Sequence, residues 1–360
     1  MGNGNWRQLV AKNTLFPCRL GLASRCSLVP ARGIMDNNMV DNLFGEFDRP
    51  GVPGAAVMVI ERGQVRLAKG FGLANLETKV PCAPETNFRL ASLTKPFTAM
   101  SILILAGRGN LTLDDPMPRF FARFPHWGGA ITIRHLLSHT SGLPDYEDWI
   151  PAATTAPLKD SGVLEILRGR DRPYFPPGTG FRYSNSGYAC LALIVERMSG
   201  VPFAAFLREN IFQPLAMNRT VAYESGVSEV PNRAIGYSKR GARFEQTDQS
   251  LTSAVLGDGG IYSSVADLFK WDQALYSDKL ISRALWRQAV TAVSKTSDCP
   301  GSGYGFGWYV DRRRVWHHGE TCGFTTRLER FPTERLTTII LANRSNARLS
   351  SIARQLAARA

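Results

Sequence analysis

The sequence predicts an α+β protein. An antiparallel sheet is assembled from strands at both ends of the chain and flanked by helices, with a helical subdomain inserted between them. Two patterns carry this expectation. Apolar residues alternate over short runs near residues 55–70 and again after Pro300, the pattern of half-buried strands. From about 111 to 290 the pattern is mostly helical with loops. Strands that lie far apart in sequence must meet to bury their apolar faces, which gives one sheet covered by helices.

Asp36 to Phe47 reads as a first amphipathic helix, stopped by Arg49-Pro50-Gly51. Ala55 to Glu61 and Gln64 to Gly70 read as a hairpin turning at Arg62-Gly63. The run Pro96 to Leu105 is apolar throughout and predicts a buried helix, ended by Gly109 and Asn110. Ile131 to His139 predicts a short helix opening at Thr132. Tyr174 to Gly178 is a rigid turn. Ser186 to Ser199 is helical and closed by Gly200, and Ala205 to Ile211 and Ser264 to Leu275 are further helices, with Asp267, Lys270 and Asp272 expected on solvated faces. Strands follow at Gly305 to Val310, Val315 to Gly319, Thr325 to Phe331 and Thr337 to Asn343, with a closing helix from Asn346 to Ala358. The whole is expected as one domain over 36–358.

Composition excludes several classes. The net charge of +13 is spread along the chain, and no basic helix interleaved with aromatics is present, which argues against nucleic-acid binding. No stretch is apolar for the ~20 residues a membrane span needs. Six cysteines lack Cys-x-x-Cys spacing, so neither a zinc ribbon nor a redox motif is expected. Residues 1–35 are basic and carry no apolar secretory core. They read as a transit-like segment, or as a disordered leader upstream of a start at Met35 or Met39. This leaves the compartment open.

Ser92-Leu93-Thr94-Lys95 is the only Ser-x-x-Lys in the chain. At the opening of a helix it places Lys95 one turn beyond Ser92, on the same face. A serine hydroxyl is a weak nucleophile until a base takes its proton, and a lysine kept neutral by burial can serve. Tyr183-Ser184-Asn185 precedes the Ser186 helix, and His317-His318-Gly319 ends a strand near the C-terminus. Gly319 would let a substrate lie against the strand edge. His135 and His139 are four apart, but the glutamate of His-Glu-x-x-His is absent, so no metal is expected. His139 is instead expected to hold the Ser141-Gly142 loop. There is no Gly-x-Ser-x-Gly elbow.

The order Ser92-x-x-Lys95, Tyr183-x-Asn185, His317-x-Gly319 resembles the serine β-lactamase and penicillin-binding-protein superfamily, in its esterase and class C β-lactamase-like branch. Phe88 to Ala91, Leu136 to Pro144, Pro177 to Thr179 and Gly259 to Ser263 resemble that family as well. The resemblance implies a β-lactamase/transpeptidase-like fold and a serine hydrolase without a cofactor. It implies Ser92 as nucleophile, with Lys95 and Tyr183 as proton carriers, either of which could be the base. Asn185 would hold a substrate amide or the Lys95 ammonium. The amides of Ser92 and Glu320 would form the oxyanion hole, and His317 and Gly319 would line the substrate edge. His317-His318 stands where the family has a lysine and a hydroxyl residue. A histidine is mostly neutral at pH 7, so the departure weakens the case for a carboxylate-bearing substrate. A short-chain ester is the first expectation. A peptide or β-lactam amide is the alternative, as is a protein that binds penicillin without turnover. No counterpart of a deacylating glutamate is evident. The partner is therefore a small-molecule ester, amide or peptide, and the oligomeric state is left open.

Overall fold

The computed structural model describes residues 37–360. The leader expected over 1–35, with Cys18 and Cys26, lies outside the described residues.

The main sheet has eight strands, and its spatial order shows why both ends of the pattern were needed. From one edge it runs 294–295, 303–304, 309–310, 315–321, 324–331, 336–342, 55–61, 64–71. The strand Ala55–Glu61 lies antiparallel between Leu336–Ala342 and Gln64–Phe71, so a strand from early in the chain is stitched beside one from its last quarter. The hairpin turns at Arg62-Gly63, both with positive φ, the conformation that matches strand twist in two-residue turns.

Side chains on successive strand residues point to opposite faces, and the two apolar cores follow. Ala55, Val57 and Val59 pack under one face with Val40, Phe44 and Phe47 and with Leu349, Ile352 and Leu356 of the closing helix Leu349–Ala357. Ala56, Met58 and Ile60 face the larger core on the other side. There the helix Lys95–Gly107 is buried from Lys95 through Leu105, as its uninterrupted apolar run requires. Phe97 stacks on Trp271 with ring centroids 4.2 Å apart. Gly109, at φ +76°, releases the chain.

Several local expectations need correction. The mostly helical region 111–290 also carries short strands that the pattern did not show. Phe88–Arg89, Ile261–Ser263 and Val221–Ala222 form a small sheet beside the Ser92 turn, and Tyr237–Arg240 pairs with Arg243–Gln246. Of the expected strand Gly305 to Val310 only Tyr309–Val310 is a strand, paired with Gly303–Tyr304; residues 305–308 turn between them, with Gly307 at φ +79° where the chain passes the Lys95 carbonyl. Asp267 and Asp272 are not solvated. Asp272 and Arg330 are each 1% exposed, with Arg330 Nε donating to Asp272 Oδ1 at 2.6 Å and Thr337 Oγ1 donating at 2.9 Å. Asp267 accepts from the Arg219 backbone and from Thr220 and Lys270, and of Asp267, Lys270 and Asp272 only Lys270 reaches solvent. The charges that seemed to mark a wet face instead pin the helix Val265–Ala274 to its neighbours.

Among the described residues no single helix is long and apolar enough to cross a membrane. Cys82, Cys190, Cys299 and Cys322 are free thiols.

Candidate active site

Ser92 lies in a single tight turn, Ala91–Thr94, that runs directly into the helix Lys95–Gly107. The preceding Ala91 has φ +51°, a left-handed conformation that strains any residue with a Cβ and gathers at functional sites. The strand Val315–Thr321 passes alongside. A Cβ on Gly319 would collide with the Leu90 carbonyl and stand 2.8 Å from both the Ser92 nitrogen and Thr326 Oγ1. Glycine is required there by space, since its own φ is unexceptional.

The Lys95 side chain is fully buried. Its Nζ donates to Ser92 Oγ at 3.0 Å, to Asn185 Oδ1 at 2.8 Å and to the Asp258 carbonyl at 3.0 Å. It sits 4.9 Å from the centre of the Tyr183 ring and 5.6 Å from that of Tyr188. Burial lowers the Lys95 pKa to about 8 against the opposing pull of Asp258, Asp145 and Glu147. The ammonium is thus held close to the pH at which it gives up its proton.

Asn185 opens the helix Asn185–Ser199, capped by Ser184 Oγ accepting from the Gly187 amide at 3.1 Å. Its Nδ2 donates to Glu147 Oε1 at 3.1 Å, which turns its oxygen toward Lys95. Tyr183 is fixed from behind by His139. The Ser184 amide donates to His139 Nδ1 at 3.0 Å, the Arg182 amide donates to the His139 carbonyl, and the His139 and Tyr183 rings are 4.3 Å apart. This corrects the expectation that His139 holds the Ser141-Gly142 loop. His139 is fully buried, and burial and Lys95 push its pKa well down, so it is neutral. His135 is engaged in the Thr132 capping box, and no group of His, Cys, Asp or Glu among the described residues could hold a metal.

Burial drives the Tyr183 hydroxyl well above its usual range, with Ser92 the neighbour that opposes the shift. The hydroxyl is buried without a hydrogen bond of normal geometry.

His317 stands elsewhere than expected. Strand alternation turns it inward and it is fully buried, so its ring does not itself line the cleft. Its Nδ1 donates to the His318 carbonyl at 2.6 Å, which leaves Nε2 to accept from the Tyr304 hydroxyl at 2.9 Å. An accepting Nε2 belongs to the neutral ring, and burial pushes the pKa well down. His318 is partly exposed, its pKa lowered by burial to about 4. Glu320 lines the cleft, with its Oε1 taken by the Asn346 amide at 2.7 Å.

The cleft in front of Ser92 brings in Arg89, Glu147, Asp258 and Thr321 besides Asn185 and Glu320. Sequence reasoning missed Asp258. It lies in Gly257-Asp258-Gly259-Gly260, beside the quoted phrase that begins at Gly259, and only the fold shows its carbonyl on Lys95. It missed Glu147 as well, because nothing local ties that residue to Asn185.

Residues 40–360 match the family model described as Beta-lactamase, and the chain belongs to that family. Penicillin-binding protein 4* of Bacillus subtilis is 36% identical over 311 residues, covering 80% of this chain and 67% of the relative. Among solved structures, the octameric penicillin-binding protein homologue from Pyrococcus abyssi superposes with a TM-score of 0.79 at 29% identity, covering 89% of this chain and 75% of the other. The penicillin-binding protein from Bacillus halodurans does so with a TM-score of 0.78 at 26% identity, covering 90% and 99%. The fold is that of the serine β-lactamases and penicillin-binding proteins.

Proposed function

We propose that this chain is a serine hydrolase that cleaves a carboxylic ester or amide through an acyl-Ser92 intermediate, with a short-chain ester as the preferred substrate class. The observation that carries the reading is the fully buried Lys95 amine 3.0 Å from Ser92 Oγ. With its pKa lowered to about 8, Lys95 is the better base, because burial disfavours a Tyr183 phenolate. Ser92 Oγ attacks the carbonyl carbon as its proton passes to Lys95. Tyr183 then passes a proton to the leaving group and is replenished from Lys95, and a water molecule repeats the sequence in reverse to free the acid. The Ser92 and Glu320 amides would stabilise the oxyanion, where one donor is typically worth ~10²–10³ in rate. No cofactor is needed. Fully buried and neutral, His317 supplies no fixed positive charge to the cleft, which supports the ester preference.

The relatives named penicillin-binding proteins support a second reading, in which a penicillin acylates Ser92. Intact-protein mass spectrometry after brief exposure to p-nitrophenyl butyrate or to a penicillin, with p-nitrophenol release followed in parallel, separates the two. Ester turnover with little penicillin adduct supports the first. A long-lived penicillin adduct with slow ester turnover supports the second. Undiminished turnover by Ser92→Ala would sink both.

A further inference from the structure

We propose that Asp258 is a positioning residue for the nucleophile, the buried counter-charge that sets the pH at which Lys95 becomes a free amine. The inference rests on the acyl-Ser92 reading and adds to it a residue outside the three motifs.

The geometry is specific. Asp258 belongs to the short turn Leu256–Gly259. The buried Asp160 carboxylate accepts from the Leu256 and Gly257 amides at 2.9 and 3.0 Å, and Thr98 Oγ1 donates to the Gly257 carbonyl at 2.7 Å. Gly257 itself is wedged against the Tyr188 backbone, where no side chain fits. So fixed, the turn delivers the Asp258 carbonyl to Lys95 at 3.0 Å and the carboxylate to the Tyr146 hydroxyl, which donates to Oδ2 at 3.1 Å. The carboxylate is buried, has no arginine or lysine within ion-pair distance among the described residues, and borders the cleft. A buried carboxylate without a direct ion-pair partner is costly. The cation that best offsets it is the Lys95 ammonium.

Other charges face the pair as well. Asp145 and Glu147 act on Lys95 from the loop around Tyr146, and Asp160 and Glu147 act on Asp258. Tyr183 and Tyr188 present their rings to Lys95. His139 and His317 are neutral neighbours that feel the Lys95 charge, and Arg89 and Glu320 complete the charged lining of the cleft. Of the acids acting on Lys95, Asp258 has the largest pull, and its residue alone also touches the amine. Burial raises the Asp258 pKa to about 7, close to that of Lys95, so the two titrate as a pair.

The test is the pH dependence of Ser92 labelling by a fluorophosphonate, read by intact mass, in the wild type, Asp258→Asn and Tyr146→Phe, with Ser92→Ala as the unlabelled control. Loss of the anion lets Lys95 shed its proton at lower pH. The acid-side midpoint of Asp258→Asn should therefore fall by about one pH unit or more. Tyr146→Phe, which weakens the carboxylate form, should move it the same way by less. Coincident midpoints in wild type and Asp258→Asn would overturn the inference while leaving the acyl-Ser92 reading intact. If Asp258→Asn does not fold, the Tyr146→Phe midpoint decides, and no shift there is equally fatal. A wild type that is not labelled on Ser92 would take down the acyl-Ser92 reading and the inference with it.

Discussion

Gly319 and Ser92 meet through their backbones: a methyl group added to Gly319 would stand 2.8 Å from the Ser92 nitrogen and strike the Leu90 carbonyl. The strand edge and the Ser92 turn are therefore fitted to each other with no room for a side chain. Gly319→Ala should push the Ser92 turn out of place. A displacement on the order of 1 Å at a reacting centre can cost ~10²-fold in rate. The expected outcome is a loss of that order in Ser92 acylation, measured by fluorophosphonate labelling, with an unchanged far-UV circular dichroism spectrum. Labelling at the wild-type rate would show that the contact does not position the nucleophile.

On the proposed mechanism Lys95 must be neutral to accept the Ser92 proton. With its pKa at about 8, the free amine is the minor form at pH 6 and the major form at pH 9. Ester kcat/KM should therefore rise with pH through that range. Lys95→Ala should lower it by ~10²–10⁴, the usual worth of a general base, and should abolish the rise. A pH–rate profile of both proteins checks this, and an identical slope in the variant would exclude Lys95 as the base.

Tyr183→Phe keeps the ring that packs on His139 and removes only the hydroxyl. Because that hydroxyl is buried without a hydrogen bond of normal geometry, its loss should leave the melting temperature within a few degrees of wild type. Turnover should fall by ~10²–10⁴ if the hydroxyl carries a proton to the leaving group. Stability and turnover measured on the same sample separate the two effects.

Asp272→Ala leaves the Arg330 guanidinium buried and uncompensated. Breaking such a pair from one side costs about 3–5 kcal/mol, a large fraction of a typical domain's stability. Urea unfolding should show that loss. A loss below ~1 kcal/mol would mean that the Thr337 and backbone contacts hold the helix without the charge.

His317 is neutral in the folded protein because burial holds its pKa well down, whereas the unfolded chain protonates it below about 6.5. The unfolded state thus binds the extra proton as the pH falls, and His317 makes stability decline below that pH. His317→Leu should lose stability at pH 7, since the Tyr304 hydroxyl and the His318 carbonyl lose their partner, a cost of about 1–3 kcal/mol each if they stay unsatisfied. It should also lose less than wild type between pH 7 and pH 5. Parallel pH profiles of the two proteins would refute the buried neutral histidine.

Much of the fold was legible because its signals are local. The apolar run of the Ser92 helix, the Arg62-Gly63 turn and the alternation within each of the strands Val315–Thr321, Phe324–Phe331 and Leu336–Ala342 are each read from a short local stretch. What failed was long-range or very short. Asp272 reads as a surface charge until Arg330, 58 residues later, is placed against it. The two-residue strands Gly303–Tyr304 and Tyr309–Val310 are too short to show a period. In the site, residue types and order drew attention to Ser92, Lys95 and Tyr183, which the structure brings together. Their supports were not visible, since Asp258 reaches Lys95 across 163 residues and His139 reaches Ser184 across 45. His317 was read as part of the substrate edge because spacing places a residue on a strand but does not say which face of the sheet is buried there.

The pairing of Ala55–Glu61 with Leu336–Ala342 has a bearing on synthesis. The ribosome makes Ser92 and Lys95 early, yet the strand edge that faces them, and the sheet centre on which both rest, follow more than two hundred residues later. A nascent chain carrying Ser92 and Lys95 is then a set of parts without a cleft. On the acyl-Ser92 reading the serine is armed only once those late strands are in place, and the topology itself keeps a chain without them silent.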